Sequence, residues 1–296
     1  MLRSSSRRLS VLYGVATVFR YPGGKTRMLK ALSPYLTAMM KGETEYCDPF
    51  VGGGSVALWV AKHYPKVNLF LNDRDNLVSA FWRVVAAGSP EVDLLIDRLS
   101  VKPTVELWDE VKASSPATDV DKAFKAVFLN RTSFNGMIYH SSPIGGRDQH
   151  GKTGGKGVWL IGCQYNYPRL AGLIKGYSTL LRGRTVVGCE DAVTFMQPRE
   201  ICPTFLDPPY FPESGKNNLY GEQMSKADHA ALAEQMRKMR KWLMTYDFSG
   251  VVAKNLYFGF DKRVVDVRYS SPSARKSGTW KQDAELVALH GFKVNI

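Results

Sequence analysis

The chain has 296 residues, 44% of them hydrophobic and 23% charged, and Lys+Arg exceeds Asp+Glu by 40 − 27 = 13. That length accommodates one or two domains with a sizeable core, and the composition is that of an ordinary globular protein, which sets aside a fibrous or disordered chain. No apolar run reaches membrane-spanning length, and the basic excess favours a polyanionic partner through counterion release.

The first 18 residues read as a basic leader, partly disordered, passing into a strand-like apolar segment at Val11–Phe19. Arg20-Tyr21-Pro22-Gly23-Gly24-Lys25 follows, then a helical pattern to about Tyr35. Glu45–Phe50 reads as a strand feeding the loop Val51-Gly52-Gly53-Gly54-Ser55. A helix is expected from Val56 to about Lys62, with Ser55 as its N-cap. A second strand, Val67–Asn72, ends at Asp73, and a helix runs from Leu77 to about Val85. Strand–helix–strand–helix order predicts parallel pairing in an α/β sheet.

From about residue 89 to 135 the pattern is helical without core strands, and Met137–Gly157 is rich in Gly, Ser, Lys and Arg, as suits a mobile basic hairpin or loop. Strands resume at Thr185–Gly188 and Thr204–Leu206; a helical stretch covers Asp228–Trp242, and later strands are expected at Trp242–Tyr246 and Glu285–Leu289. The four cysteines, Cys47, Cys163, Cys189 and Cys202, form no CxxC pair and no zinc spacing, so they read as reduced thiols of a cytoplasmic protein.

Two motifs carry chemistry. The glycines of Phe50-Val51-Gly52-Gly53-Gly54 let backbone turn sharply and approach a ligand, and Asp73 ends the next strand where acids commonly hold ribose hydroxyls. Together they point to a nucleoside-bearing cofactor. NAD and S-adenosylmethionine both remain candidates, although a full G-x-G-x-x-G is missing because Ala57 stands three residues after Gly54. Lys25 suits a cofactor carboxylate, or else a phosphate or open solvent. The second motif is Asp207-Pro208-Pro209-Tyr210, behind the strand Thr204–Leu206. An acid and prolyl carbonyls are acceptors and the tyrosine is a flat face. The set suits a planar base with an exocyclic amino group, as in adenine, cytosine or guanine.

The chain resembles the Dam-type (alpha-group) DNA adenine-N6 methyltransferases. The matching elements, in that family's order, are Tyr21-Pro22-Gly23-Gly24-Lys25, Asp48-Pro49-Phe50-Val51-Gly52-Gly53-Gly54-Ser55, Asn72-Asp73, Leu129-Asn130-Arg131 with Phe134-Asn135-Gly136, and Asp207-Pro208-Pro209-Tyr210. The resemblance implies a Rossmann-like α/β methyltransferase sheet at 19–85 and 180–296, interrupted at 86–179 by a mainly helical target-recognition insertion carrying the basic loop. It implies S-adenosylmethionine as cofactor, held by Tyr21, Gly23, Gly24, Lys25, Phe50, Gly52, Gly54, Asp73, Asp191 and Asp207. Catalysis falls to Asp207, Pro208, Pro209 and Tyr210, without a metal. Double-stranded DNA is the implied partner, met by Asn130, Arg131, Phe134, Asn135, Tyr139, Arg147, Lys152 and Lys156. No membrane is involved, a monomer suffices, and the setting is a bacterial nucleoid or phage-infected cytoplasm. Tyr21 replaces a frequent tryptophan, and Tyr139 stands where GATC-specific members carry a base-reading arginine. The alternatives are guanine-N2 transfer to RNA, cytosine-N4 transfer, and a catalytically silent DNA-binding relative.

Overall fold

The computed structural model describes residues 15–20, 24–149, 159–210, 224–247, 261–268 and 282–294. Tyr21, Gly23, Lys152, Lys156 and most of the leader lie outside the described residues.

A seven-stranded sheet forms the centre. Its strands are β1 (Glu45–Asp48), β2 (Asn68–Asn72), β3 (Thr185–Gly188), β4 (Thr204–Leu206), β5 (Trp242–Asp247), β6 (Asp261–Arg268) and β7 (Gln282–His290), in the spatial order β3-β2-β1-β4-β5-β7-β6. β1 pairs in parallel with β2 and β4, β2 with β3, and β4 with β5. β7 runs antiparallel to both β5 and β6. The order reverses between β1 and β4, so the loops after these two strands open outward from one crevice at their C-terminal ends. Such a switch point is where open α/β sheets bind ligands. This is the Rossmann-like methyltransferase sheet that the resemblance implies.

Helices cover the sheet. Among the described residues they include α1 (Leu29–Met40), α2 (Ser55–His63), α3 (Asn76–Ala87), α4 (Glu91–Arg98), α5 (Val105–Ala113), α6 (Asp119–Thr132), α7 (Tyr167–Leu181), α8 (Ala192–Met196) and α9 (Lys226–Lys238). α3 starts where the Asp75 side chain accepts from Leu77 N (2.8 Å) and Val78 N (3.4 Å), two donors that the helix cannot satisfy itself. α3 then buries Leu77, Val78, Phe81, Trp82, Val84 and Val85 on an apolar stripe. α9 starts with a reciprocal capping box between Ser225 and Asp228. One continuous apolar cluster includes Leu69 and Leu71 of β2, Trp82 of α3, Leu95 of α4, Trp108 of α5, Phe128 of α6 and Ile174 of α7. The helical segment therefore shares its core with the sheet. Among the described residues, no helix is long and apolar enough to cross a membrane.

Several local expectations are corrected. Residues 15–20 form no strand; they are irregular chain, with Val18 and Phe19 buried and Phe19 edge-on to Phe81 at 4.8 Å. Gly54, at φ 69°, occupies the N-cap of α2, and Ser55 is its first helical residue. The helix expected through Trp242 stops at Lys238, and Trp242 begins β5 instead. Within 137–149 there are turns and bends, tied by a single bridge between Ser133 and Pro143, with no extended hairpin. β6 was not foreseen: its residues, Asp-Lys-Arg-Val-Val-Asp-Val-Arg, are mostly charged.

Candidate active site

The turn after β1 is built from inside. Gly52 (φ 44°) and Gly54 (φ 69°) take the left-handed conformation that disfavours side chains. Gly52 N–H donates to Asp73 Oδ2 at 2.9 Å, and the Gly52 carbonyl accepts from Trp82 Nε1 at 2.9 Å. Gly54 N–H closes the turn onto the Val51 carbonyl at 2.7 Å. A Cβ on Gly54 would lie 2.2 Å from the Trp82 ring. Gly54 is thus needed for packing against Trp82 as well as for backbone conformation. Asp73 Oδ1 also accepts from Asp75 N at 2.9 Å, so this acid braces the turn. Buried Asn72 binds the strand ends together, donating to the Pro49 and Glu190 carbonyls (3.1 Å each) and accepting from Glu190 N (2.9 Å). Asp191 lines the same cavity and caps α8 by accepting from Val193 N at 2.9 Å.

The tetrad leaves β4 across the crevice. Asp207 Oδ1 accepts from Thr245 Oγ1 at 2.9 Å and pairs with Lys25 Nζ at 2.8 Å. Thr245 on β5 is fully buried, and Lys25 is only 4% exposed. Lys25 Nζ also reaches Tyr210 OH at 3.3 Å and stands 5.6 Å from the centre of its ring. Tyr210 is 37% exposed and backed by Tyr246, with ring centres 5.0 Å apart. His229 is buried edge-on against Tyr246, 5.8 Å between centres, and its imidazole donates to the Pro209 carbonyl. Burial holds the His229 pKa below its ordinary value.

Between the two motifs lies Asp48, 2% exposed, which accepts from Tyr46 OH (3.1 Å) and Phe50 N (3.3 Å). Burial pushes its carboxyl up to about 8, the two hydrogen bonds oppose that, and the charges of Asp207 and Asp73 add to it. Asp48 is therefore held mostly protonated at neutral pH.

One cavity of about 1140 Å³ joins these parts: Gly24, Lys25, Phe50, the Gly52–Gly54 turn, Asp73, Asp191 and Asp207–Tyr210 all line it. The resemblance requires such a cavity. The description "D12 class N6 adenine-specific DNA methyltransferase" matches residues 21–271. The chain belongs to this family. It is an adenine-specific DNA methyltransferase, and DNA is its substrate. The methyltransferase is 23% identical over 280 residues to the Type II methyltransferase M.MjaIII of Methanocaldococcus jannaschii, covering 86% of this chain and 92% of that one. It is also 25% identical over 126 residues to the Type II methyltransferase M.CviBI of Paramecium bursaria Chlorella virus NC1A, covering 42% and 45% of the two chains. These comparisons give no support to guanine-N2 or cytosine-N4 transfer, or to a silent relative.

The residues expected at DNA divide. Phe134 is 57% exposed and Tyr139 37% exposed; the Tyr139 hydroxyl donates to Asp75 Oδ1 at 2.7 Å. Asn135 is exposed, with φ 55°. Arg147 is exposed and makes a two-pronged contact with Asp109 at 2.7 and 2.8 Å. Two of these residues bind the protein's own backbone, which for buried Asn130 corrects the expectation. Asn130 is fully buried and binds backbone: its Oδ1 accepts from Arg20 N (2.7 Å), and its Nδ2 donates to the Gly136 carbonyl (2.7 Å). Arg131 turns inward and donates to the Val18 (2.6 Å) and Thr17 (2.8 Å) carbonyls. Both residues dock the chain before the Lys25 motif onto α6.

Asp48, Thr245, Trp82 and Arg20 went unrecognised in the sequence. Asp48 opens the Asp48-Pro49-Phe50 motif, which is a local signal. Thr245 sits in an apolar strand, and nothing local announces its bond to a residue 38 positions away.

Proposed function

We propose that the enzyme uses S-adenosylmethionine to methylate N6 of an adenine rotated out of duplex DNA. The observation that carries this reading is the shared cavity, with the glycine turn on one side and Asp207–Tyr210 on the other. Its lining fits the cofactor. Acids at the ends of β2 and β3 (Asp73, Asp75, Glu190, Asp191) suit hydroxyl and amino donors of a nucleoside, and the cationic side chains suit a carboxylate. When bound, S-adenosylmethionine supplies an electrophilic methyl group on sulfur.

The residues of this chain do the rest. The adenine amino group is a poor nucleophile because its lone pair is delocalised into the ring. Asp207 accepts one N6 hydrogen and the Pro208 carbonyl accepts the other, drawing the nitrogen toward a pyramidal shape with an available lone pair. The acceptors work by being fixed beforehand where charge develops. Thr245 and Lys25 fix Asp207 by bonding the same oxygen, Oδ1. Tyr210 offers its face to the extruded ring, and Phe134 fills the gap left in the duplex, offsetting an unstacking cost of a few kcal/mol. Tyr21, Gly23, Lys152 and Lys156 keep their cofactor and DNA roles in this reading. Residues 86–179 serve as the target-recognition segment, the Type II names of the relatives support a restriction–modification setting, and in this reading the enzyme works in the cytoplasm.

Asp207→Asn is the test. It preserves volume and an oxygen acceptor for Thr245 and Lys25 while removing the charge, whereas Asp207→Ala would remove the acceptor as well. With a labelled methyl donor, wild type is expected to yield N6-methyladenine in DNA. Asp207→Asn is expected to lose at least about 100-fold in turnover while retaining donor binding. Undiminished turnover would refute the role assigned to Asp207.

A further inference from the structure

One corner of the cavity is basic and has no evident use in the mechanism above. Arg20, Arg131 and Arg169 all line the cavity, as do Thr17, Gln164 and Asn166, and the charges of Arg20 and Arg169 both bear on Arg131. Arg20 is fixed by its backbone: its N–H and carbonyl both bond Asn130 (2.7 and 3.3 Å). Its carbonyl also packs so closely on Gly136 that a Cβ there would come within 2.4 Å. The guanidinium of Arg20 is half-buried, and its Nη1 has neither solvent contact nor a hydrogen-bond partner. A buried donor left unsatisfied is costly, and in native proteins it commonly marks a missing ion or ligand.

The neighbours sharpen this. Burial and the charges of Arg20 and Arg169 together press the Arg131 pKa down to about 10. No carboxylate figures among the charges acting on Arg20 or Arg131. Arg169 lies in the first turn of the 15-residue α7, whose first turn contains no acid, so the positive end of that helix adds to the same field. Among the described residues, Arg20, Arg131 and Arg169 form no ion pair with a carboxylate, while most acids of the cavity follow the strand ends. Arginine forks match planar oxyanions.

We propose that Arg20, with Arg131 and Arg169, forms an oxyanion subsite of the catalytic cavity that takes a carboxylate or phosphate group of a reactant. The inference rests on the reading above and deepens it. Two groups have this chemistry: the carboxylate of the donor's amino-acid tail, and the backbone phosphate of the rotated nucleotide. Lys25, whose charge also suits the carboxylate, is paired with Asp207, and Arg20 offers the carboxylate a second place.

Arg20→Gln and Arg169→Gln, singly and together, test the subsite. Arg131 is left intact because it ties down residues 17 and 18. Without DNA, calorimetry compares S-adenosylhomocysteine with its decarboxylated analogue. If the donor's carboxylate occupies the corner, Arg20→Gln weakens the first at least tenfold and the second hardly at all, and Arg20→Lys recovers part of the loss. If phosphate occupies it, discrimination between the analogues is unchanged, and the salt dependence of binding to a duplex containing the methylation site becomes shallower by about one phosphate contact. Either result supports the subsite and identifies its source. Folded variants that alter neither quantity overturn the proposal. Failure of the wild-type enzyme to bind either nucleoside or to methylate DNA would instead overturn the reading of the whole cavity, a distinct outcome.

Discussion

The Gly52–Gly54 turn and the Phe134–Tyr139 segment belong to one enzyme but are built on opposite principles. The turn is satisfied internally: Asp73, Trp82 and Val51 take up its backbone groups, and the Trp82 ring fills the space beneath Gly54. The other segment spends its backbone bonds on holding position, with Phe134 N on the Ser142 carbonyl and the Gly136 carbonyl on Asn130, and leaves the Phe134 ring in solvent. A small ligand is held by a shape that must exist before it arrives. A polymer is met by side chains whose partners arrive with it. Substitutions in the turn should therefore register as stability, and those in the exposed segment as activity on duplex DNA.

Gly54→Ala should have the largest effect. The added carbon meets the indole at 2.2 Å, and left-handed backbone disfavours alanine, so denaturant unfolding should show a loss of about 3 kcal/mol or more. A stable Gly54→Ala protein would show that the turn is less rigidly determined than its bonds suggest. Thr245→Val comes next, removing the buried donor to Asp207 while keeping shape. A hydrogen bond to a charged group is worth about 1.5–3 kcal/mol, so kcat should fall roughly 10- to 100-fold with KM for donor little changed. A change confined to KM would mean that Thr245 is only a packing residue.

Asp48 makes the contrast depend on pH. Its folded pKa is raised to about 8 from an ordinary 3.8. The folded protein therefore retains a proton that the unfolded chain releases, and the contribution of Asp48 to stability is greatest below pH 4. It declines as pH rises toward 8, by on the order of 1 kcal/mol per unit, and levels off above. Asp48→Asn should flatten that slope in melting experiments between pH 5 and 8; an unchanged slope would place the titration elsewhere. Phe134→Ala should have the smallest structural effect. At 57% exposure its stability change should stay within about 0.5 kcal/mol. Methylation of paired duplex should nevertheless drop roughly tenfold and recover when the target base is already unpaired.

The sequence reveals the turn better than the exposed segment, and the reason is physical. β1, the glycine loop and β2 follow one another within 30 residues, so strand, turn and acid form a local pattern. The tetrad behind β4 is local in the same sense. Asn130, expected at DNA, is buried instead, and Arg131 spends two of its donors on backbone at the cavity wall, because residues 17–20 return across more than 100 positions to dock on α6. No local pattern encodes that contact. Thr245 acquires its role only when β5 pairs with β4 and sets it beside Asp207, and Asp48 acquires its raised pKa only when folding buries it near Asp207 and Asp73. β6 is hard to read because five of its eight residues are charged and no apolar alternation marks it; among the described residues it pairs with β7 alone, at an edge that tolerates charge.

The most direct test is a crystal structure of the enzyme with S-adenosylhomocysteine and duplex DNA containing its methylation site. The target adenine is expected to lie in the cavity, its N6 within about 3 Å of the Asp207 carboxylate and its ring against Tyr210, with the nucleoside on the Gly52–Gly54 turn. An adenine still stacked in the duplex, or bound away from Asp207 while the nucleoside occupies its turn, would contradict the account.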